Sequence, residues 1–413
     1  MKVLMFGWEF PPFNSGGLGT ACYGIAKSLS EKGMEINFVL PQNRKVSEKF
    51  LNVIPAKLPK IKIKEVDSLL VSYMTSQSYR KSFLSLDKNY QDNIYCKNLI
   101  EEVYRYALVA KDIASEVDHE VIHCHDWMTF PAGIAAKNVS KKPMIAHIHS
   151  TEYDRSAGHG VNPEVYKIEK EGIEEADKVI AVSRFTKDRI ARNYNIDEKK
   201  IEVVYNAIDK NEFFSDSNCK NHLNGFNKKI VLFLGRLTLH KGPDYFLCAA
   251  KKVLEKNNNV IFIISGSGDM EHQIIEQASE MGIADKVLFT GFLRNEELRK
   301  IYKMANLYVM PSVSEPFGIT PLESIASGTP VIISKQSGIS EVLDHCLKVD
   351  FWDTDEMANK ILSVLENEEL EDCLCGNSLK EIDKLHWGVS ADKIIGIYNE
   401  LLSNKNLCST RGF

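Results

Sequence analysis

Nowhere among the 413 residues is there an uninterrupted apolar run of about 18, the length a helix needs to span a bilayer. The first segment is not expected to act as a leader either: Met1-Lys2 leads into a short apolar run broken by Glu9 and Pro11-Pro12, too short for a signal-peptide core. These absences predict a cytoplasmic protein with no stable membrane insertion. Positive charge is not in excess; a net charge of −5 offers no extended basic field to hold a nucleic-acid backbone, so no nucleic acid is expected as partner. The nine cysteines lack regular spacing, and several sit in apolar runs where a reduced thiol behaves as a small hydrophobe, which fits a reducing compartment. The P-loop pattern G-x-x-x-x-G-K-S/T is missing, which disfavours a P-loop ATPase, and there is no long repeat or low-complexity tract.

What the chain does have is length and alternation. Its 413 residues exceed the roughly 250 to 300 at which one core stops growing, so two domains are expected. Short runs rich in Val, Ile and Phe alternate with segments of helical period, the pattern of a parallel sheet with helices on both faces. In the first half the predicted strands are Val3 to Gly7, Ile36 to Leu40, Val121 to His125, Met144 to His149, Val179 to Val182 and Ile201 to Tyr205. In the second they are Ile230 to Gly235, Val260 to Ser265, Val287 to Gly291, Leu307 to Pro311 and Val331 to Ser334. Between the first two strands Leu18, Cys22, Ile25, Ala26 and Leu29 share one face of a helix that Gly33 should stop, and Pro243 sits just inside another helix start.

The predicted organisation is α/β: a Rossmann-like domain over 1–208, a polar linker over 209–228 and a second Rossmann-like domain over 229–385. An irregular insertion occupies about 45–93, with a strand near Ile61 to Val66. Within 386–413 the spacing of Trp387, Ala391, Ile394, Ile395, Tyr398 and Leu402 predicts a terminal helix, frayed from about Ser403.

Ligands of open parallel sheets bind beyond the carboxyl ends of the strands, so residues there are the candidates. Trp8-Glu9-Phe10-Pro11 through Ser15-Gly16-Gly17-Leu18-Gly19 reads as strand end, Gly-rich turn and helix start. Such a turn is either a tight connection or, through N–H groups at the helix N-terminus, a phosphate cradle. Gly235-Arg236-Leu237 closes another strand and Lys241-Gly242 opens the next helix. Arg236 and Lys241 are then either ordinary surface cations or the pair that neutralises a diphosphate leaving group. Gly266-Ser267-Gly268 follows a further strand and suits a closely approaching nucleotide, though it proves only a loop. The most specific stretch runs from Ser314 to Glu323: Gly318, Ile319 and Thr320, after Phe317, should expose N–H groups at a helix start. Its carboxylates, Glu315 and Glu323, suit recognition of sugar or ribose hydroxyls; plainly read, Glu315 complements a helix N-terminus and Glu323 is a solvated helix residue. Strand alternation puts His123 and His125 on one face, and His147 and His149 likewise. They read as hydrogen-bonding groups rather than metal ligands. Asp353-Thr354-Asp355 has the spacing of a metal-nucleotide motif but, between strand and helix, reads as a cap.

Together these residues resemble the retaining glycosyltransferases of the GT-B fold over nearly the whole chain. Gly235-Arg236-Leu237, Lys241-Gly242, Gly266-Ser267-Gly268 and Glu315-Pro316-Phe317-Gly318 with Glu323 follow the order of that group's donor-binding domain, including its E-x7-E pair. Trp8-Glu9-Phe10-Pro11, Gly16-Gly17-Leu18 and His123-Cys124-His125-Asp126-Trp127 narrow the resemblance to glycogen and starch synthases. The resemblance implies a metal-independent hexosyltransferase without cofactor, its site in the cleft between two Rossmann-like domains and its terminal helix returning to the first. It implies that Arg236 and Lys241 hold the diphosphate, that Glu315 faces sugar hydroxyls, and that Glu323 binds the ribose. It places His149 beside the transferred sugar, Glu9 and Asp126 near acceptor and donor sugar, and Asn206 in the cleft. Gly16, Gly17, Gly266, Gly268, Phe317, Gly318, Ile319 and Thr320 complete the donor site.

The implied reaction moves glucose from ADP-glucose or UDP-glucose to the non-reducing end of an α-1,4-glucan with retention. One departure stands out: where bacterial and plant synthases carry Lys two residues before the double glycine, this chain carries Asn14, which removes a cation and leaves the donor nucleotide open. The alternative is a retaining transferase of lipopolysaccharide, capsule or other glycan biosynthesis using a different nucleotide sugar. A sugar-binding or regulatory protein on the same fold is disfavoured by the joint presence of Arg236, Lys241, Glu315, Glu323 and His149, and a nucleotide-sugar epimerase by the Asp126-Trp127 and Gly16-Gly17-Leu18 context.

Overall fold

The computed structural model describes residues 1–10, 16–42, 61–67, 70, 76–85, 97–213 and 228–409. Asn14 and most of the insertion at 45–93 therefore lie outside the described residues. Two compact units emerge: Met1–Glu152, Val161–Tyr205 and Trp387–Phe413 make up the first, Tyr153–Gly160 and Asn206–His386 the second.

The first unit holds a seven-stranded sheet, β1 (Lys2–Phe6), β2 (Glu35–Gln42), β3 (Ile61–Asp67), β4 (Val121–His125), β5 (Met144–Ile148), β6 (Lys178–Ala181) and β7 (Ile201–Val203), in the order β3-β2-β1-β4-β5-β6-β7. Every pairing is parallel. A parallel sheet needs helices on both faces, and the near-continuous apolar run of β1, with Val3, Leu4, Met5 and Phe6 all 0% exposed, shows both faces covered. The helix Gly17–Glu31 buries Leu18, Cys22, Ile25, Ala26 and Leu29, as their spacing predicts, and Gly33 ends it at φ 95. The terminal helix, Trp387–Ser409, buries Ala391, Ile394 and Tyr398 against this unit and runs past the frayed end expected at Ser403; between Ser403 and Gly412 there is no Gly or Pro to stop it.

The second unit repeats the plan with β8 (Lys229–Leu234), β9 (Val260–Ser265), β10 (Val287–Gly291), β11 (Leu307–Met310), β12 (Val331–Ser334) and β13 (Leu347–Val349), all parallel, in the order β10-β9-β8-β11-β12-β13. Its core joins Val231 and Phe233 of β8 to Phe262 and Ile264 of β9 under Phe246 and Leu247 of the helix Pro243–Lys256. Asp353 caps the helix Thr354–Glu366, its carboxylate accepting from the Glu356 N–H at 2.9 Å, so the capping reading of that acidic triplet holds.

Two local differences from the sequence reading appear. The stretch expected to be a plain linker contains a short helix, Lys210–Phe213, because Phe213 finds an aromatic partner in Tyr302, ring centroids 6.5 Å apart. Tyr153–Gly160, deep in the first half of the sequence, groups with the second unit. Hydrogen bonding accounts for it: Asp154 is 1% exposed and accepts from the Ser314 hydroxyl at 2.8 Å.

Candidate active site

In both sheets the strand order reverses between the first strand of the unit and the one added on its other side, β1 and β4 in one, β8 and β11 in the other. At such a switch point adjacent connections leave in opposite directions and open a crevice at the strands' carboxyl ends. The candidates after β1, β4, β8 and β11 lie at these two points.

In the first unit Glu9 follows β1 and is fully buried, one carboxylate oxygen accepting from the Gly19 N–H at 2.7 Å. The helix N-terminus read as a phosphate cradle thus already holds a carboxylate of the chain at its Gly19 donor, while Gly16 and Gly17 lead into it. Asp126, just past β4, has φ 60, an unfavourable backbone for a non-glycine residue. Its carboxylate binds the N–H groups of His149 (2.7 Å) and Ser150 (3.3 Å), tying the ends of β4 and β5 together. The paired histidines form a ladder, because His125 is in register with His147. His123 links Tyr398 (Nδ1 to the hydroxyl, 2.6 Å) to His147 (Nε2 to Nδ1, 3.0 Å), and His125 Nδ1 meets His149 Nε2 at 2.9 Å. Burial holds all four rings neutral, pushing His123 and His149 down to about 3. Cys22, His125 and His149, and likewise His123, His125 and His147, bring possible ligand atoms within 4.8 Å of one another, so these donors could also hold a soft cation.

In the second unit Lys241 donates to Glu315 at 2.5 Å, and the Ser312 hydroxyl reaches the same oxygen at 3.3 Å. Sequence spacing could not reveal this pair, 74 residues apart. Arg236, Lys241 and Arg155 all act on the buried ring of His240, which burial first and then these cations hold neutral. The carbonyl of His240 receives the N–H groups of Val313 and Ser314, placing the cations beside the Ser314–Gly318 turn. Phe317 is buried, and Gly318 has φ 107, a left-handed conformation that suits glycine. The N–H groups of Gly318, Ile319 and Thr320 have no hydrogen-bond partner among the described residues. Asn206 opens the second unit and is buried, with Oδ1 likewise unpartnered among the described residues.

Glu323 corrects the plain reading of it as a solvated helix residue. It is 8% exposed, accepts from the Tyr302 hydroxyl at 2.9 Å, and burial pushes its carboxyl up to about 7 against that bond. It does not join the Lys241–Glu315 pair; Tyr308, bonded to Thr320 at 2.8 Å, feels both glutamates. Gly266 and Gly268 also have a local reason to be glycine. A Cβ on Gly266 would lie 1.8 Å from the Gly235 carbonyl oxygen, and one on Gly268 2.3 Å from that of Leu237, so the loops after β8 and β9 run backbone against backbone. Gly266→Ala, at φ 138, should cost about 3 kcal/mol or more, read as a lowered urea midpoint at constant m-value. An unshifted midpoint would mean the loops do not pack so closely. Arg155, His240, Tyr302 and Tyr308 were missed by the sequence reading: each is one residue in an otherwise plain segment, with no spacing signal.

Among the described residues no helix is long and apolar enough to cross a membrane. The starch synthase catalytic domain family matches residues 2–202, and the glycosyl transferases group 1 family matches 216–378. The chain is 30% identical to an uncharacterized glycosyltransferase of Methanocaldococcus jannaschii, covering 96% of this chain and 98% of that one. It is 24% identical to the glycogen synthase of Mycobacterium tuberculosis, over 83% of this chain and 80% of the other. The sucrose-phosphate synthase of Thermosynechococcus elongatus shares the fold, with a TM-score of 0.80 at 19% identity over 98% of this chain and 99% of that one. With one family match on each half of the sequence and a relative similar along nearly its whole length, this chain belongs to the GT-B glycosyltransferases, near the glycogen synthase group, and is a hexosyltransferase.

Proposed function

We propose that this hexosyltransferase moves glucose from ADP-glucose or UDP-glucose to the 4-hydroxyl at the non-reducing end of an α-1,4-glucan, with retention and without a metal ion or other cofactor. The observation that carries the reading is the Lys241–Glu315 pair, with Arg236 close by and unpartnered N–H groups at Gly318, Ile319 and Thr320. The reaction demands stabilisation of negative charge on the departing diphosphate while the sugar becomes oxocarbenium-like, and preformed cations and N–H dipoles meet that demand at little reorganisation cost. Arg236 and Lys241 hold the diphosphate. Glu315, whose carboxylate is anchored by Lys241 and Ser312, accepts from sugar hydroxyls, and Glu323 accepts from the ribose. Gly16, Gly17, Gly266, Gly268 and Phe317 shape the donor site. His149, Glu9, Asp126 and Asn206 serve the transferred sugar and the acceptor. The leaving phosphate takes the proton of the acceptor hydroxyl, so no side-chain base is needed. The starch synthase match over residues 2–202 supports a glucan as acceptor.

The test offers ADP-glucose, UDP-glucose and GDP-mannose in turn to purified protein, with and without glycogen and with a chelator present. Glycogen-dependent nucleotide release from a glucose donor, unaffected by chelator, is the expected result. Release that ignores glycogen for every donor would move the reading to a transferase acting on another glycan, and loss of release with chelator would overturn metal independence.

A further inference from the structure

Lys241 and Glu315 meet at 2.5 Å but stand on separate turns, one after β8 and one after β11, so their pairing depends on what joins those turns. Ser314 is the joint. Its N–H, with that of Val313, bonds the carbonyl of His240, the residue before Lys241, and the residue after it is Glu315. Ser314 is buried, and its hydroxyl donates to the Asp154 carboxylate at 2.8 Å. A group 160 residues away in the chain therefore grips the joint from its side-chain end. The ring of His240 is hydrogen-bonded to the backbone of Arg155, so one short helix, Glu152–Arg155, meets both turns.

Burying a carboxylate is costly, and a 1% exposed Asp154 supplies what an apolar filler of the same space would not, an acceptor at a fixed point. The segment around it holds that point still. The Ala157 N–H returns to the Asp154 carbonyl at 3.1 Å and the Gly158 N–H to that of Tyr153 at 2.9 Å, with Ala157 at φ 50, a strained backbone for a residue other than glycine. We propose that Asp154 is a positioning residue for the donor site: through Ser314 it fixes the turn that carries Glu315 against the turn that carries Lys241, so that the pair meets a nucleoside diphosphate sugar in one geometry. The proposal rests on the assignment of Lys241 and Glu315 to the donor, made above. Asp154 acts through Ser314 and need not touch the donor itself.

The experiment measures the affinity of the full-length protein for ADP, UDP and GDP by titration calorimetry, and kcat/KM with whichever of ADP-glucose, UDP-glucose and GDP-mannose the wild type uses. Both are read at a temperature where melting curves show every variant folded. Asp154→Ala should lower kcat/KM about 10- to 100-fold, the loss that a displacement of about 1 Å at reacting groups brings, and diphosphate affinity about 3- to 10-fold. Asp154→Asn keeps an oxygen able to accept from the Ser314 hydroxyl, so it should recover most of both losses. Ser314→Ala removes the other half of the same bond; it should match Asp154→Ala, and the double variant should be no worse than either single one. If Asp154→Ala does not fold, Ser314→Ala and Asp154→Asn carry the comparison: the first impaired and the second near wild type is the expected result. A folded Asp154→Ala or Ser314→Ala enzyme that keeps wild-type kcat/KM and loses only melting temperature overturns the proposal, because the bond then serves stability alone. An asparagine variant as impaired as the alanine one, or losses that add in the double variant, also overturns it. A wild type that binds no nucleoside diphosphate overturns the donor assignment, and the proposal falls with it; binding that is equal in wild type and variants, with equal turnover, overturns the proposal and leaves that assignment standing.

Discussion

Arg236→Ala is expected to lower kcat on the order of 10²-fold or more, by analogy with loss of one preorganised donor to a developing oxyanion. The fold should survive, because the loop is pinned through its backbone on both sides of Arg236: Gly235 N–H binds Ser265 O and Leu237 N–H binds Ser267 O, each at 3.0 Å. A guanidinium stays charged at every working pH and presents a forked set of donors, so it suits a diphosphate whose charge grows in the transition state. Lysine at 236 should restore charge but not the fork, and recover activity only in part. Turnover at saturating donor, with a melting curve to establish folding, checks this; a folded Arg236→Ala enzyme with unchanged kcat would remove the residue from the mechanism.

Glu323→Gln should change donor affinity and stability in opposite directions. A carboxylate that accepts from ribose hydroxyls forms charge-assisted hydrogen bonds, so its neutral amide should raise donor KM about 10- to 100-fold with a smaller effect on kcat. In the wild type, donor KM should improve as pH rises through about 7, where the carboxyl ionises, and this dependence should vanish in the variant. Stability runs the other way. The folded-state pKa is raised from 4.5 to about 7, chiefly by burial, so the side chain's stabilising contribution is complete below the unfolded value and is lost as pH rises through about 7. The difference amounts to about 3 kcal/mol at alkaline pH. Glutamine can still accept from the Tyr302 hydroxyl and carries no charge to bury, so the variant should be the more stable protein at pH 8 and show a flatter pH profile. Urea midpoints at pH 5 and pH 8, beside donor KM at both, test the two halves separately: an unchanged KM excludes the ribose role, and equal pH profiles exclude the buried charge.

Both glutamates show why residue type and spacing were legible while charge state and partnership were not. The spacing of Glu315 and Glu323 is local, and their positions after β11 and within the helix Thr320–Ala326 follow from turn and helix signals close by. That Glu315 is held by Lys241, and Glu323 by Tyr302 under a burial strong enough to move its titration, depends on packing between segments distant in sequence. Gly266 is similar: a glycine after a strand is visible in the sequence, but the Gly235 carbonyl that requires it comes from the neighbouring loop.

The sequence by itself determined the alternation of strands and helices, the two parallel sheets, the caps at Gly33 and Asp353 and the placing of candidates at strand ends, because hydrophobic period and turn chemistry are properties of a few neighbouring residues. Only the tertiary structure decided that Glu9 occupies a helix N-terminus, that Tyr153–Gly160 joins the second unit, and that four histidines interlock in one buried ladder. The physical reason is that protonation, hydrogen-bond partner and backbone clearance depend on which distant segments exclude water from a group, and the strand order that brings those segments together is not written in any local period.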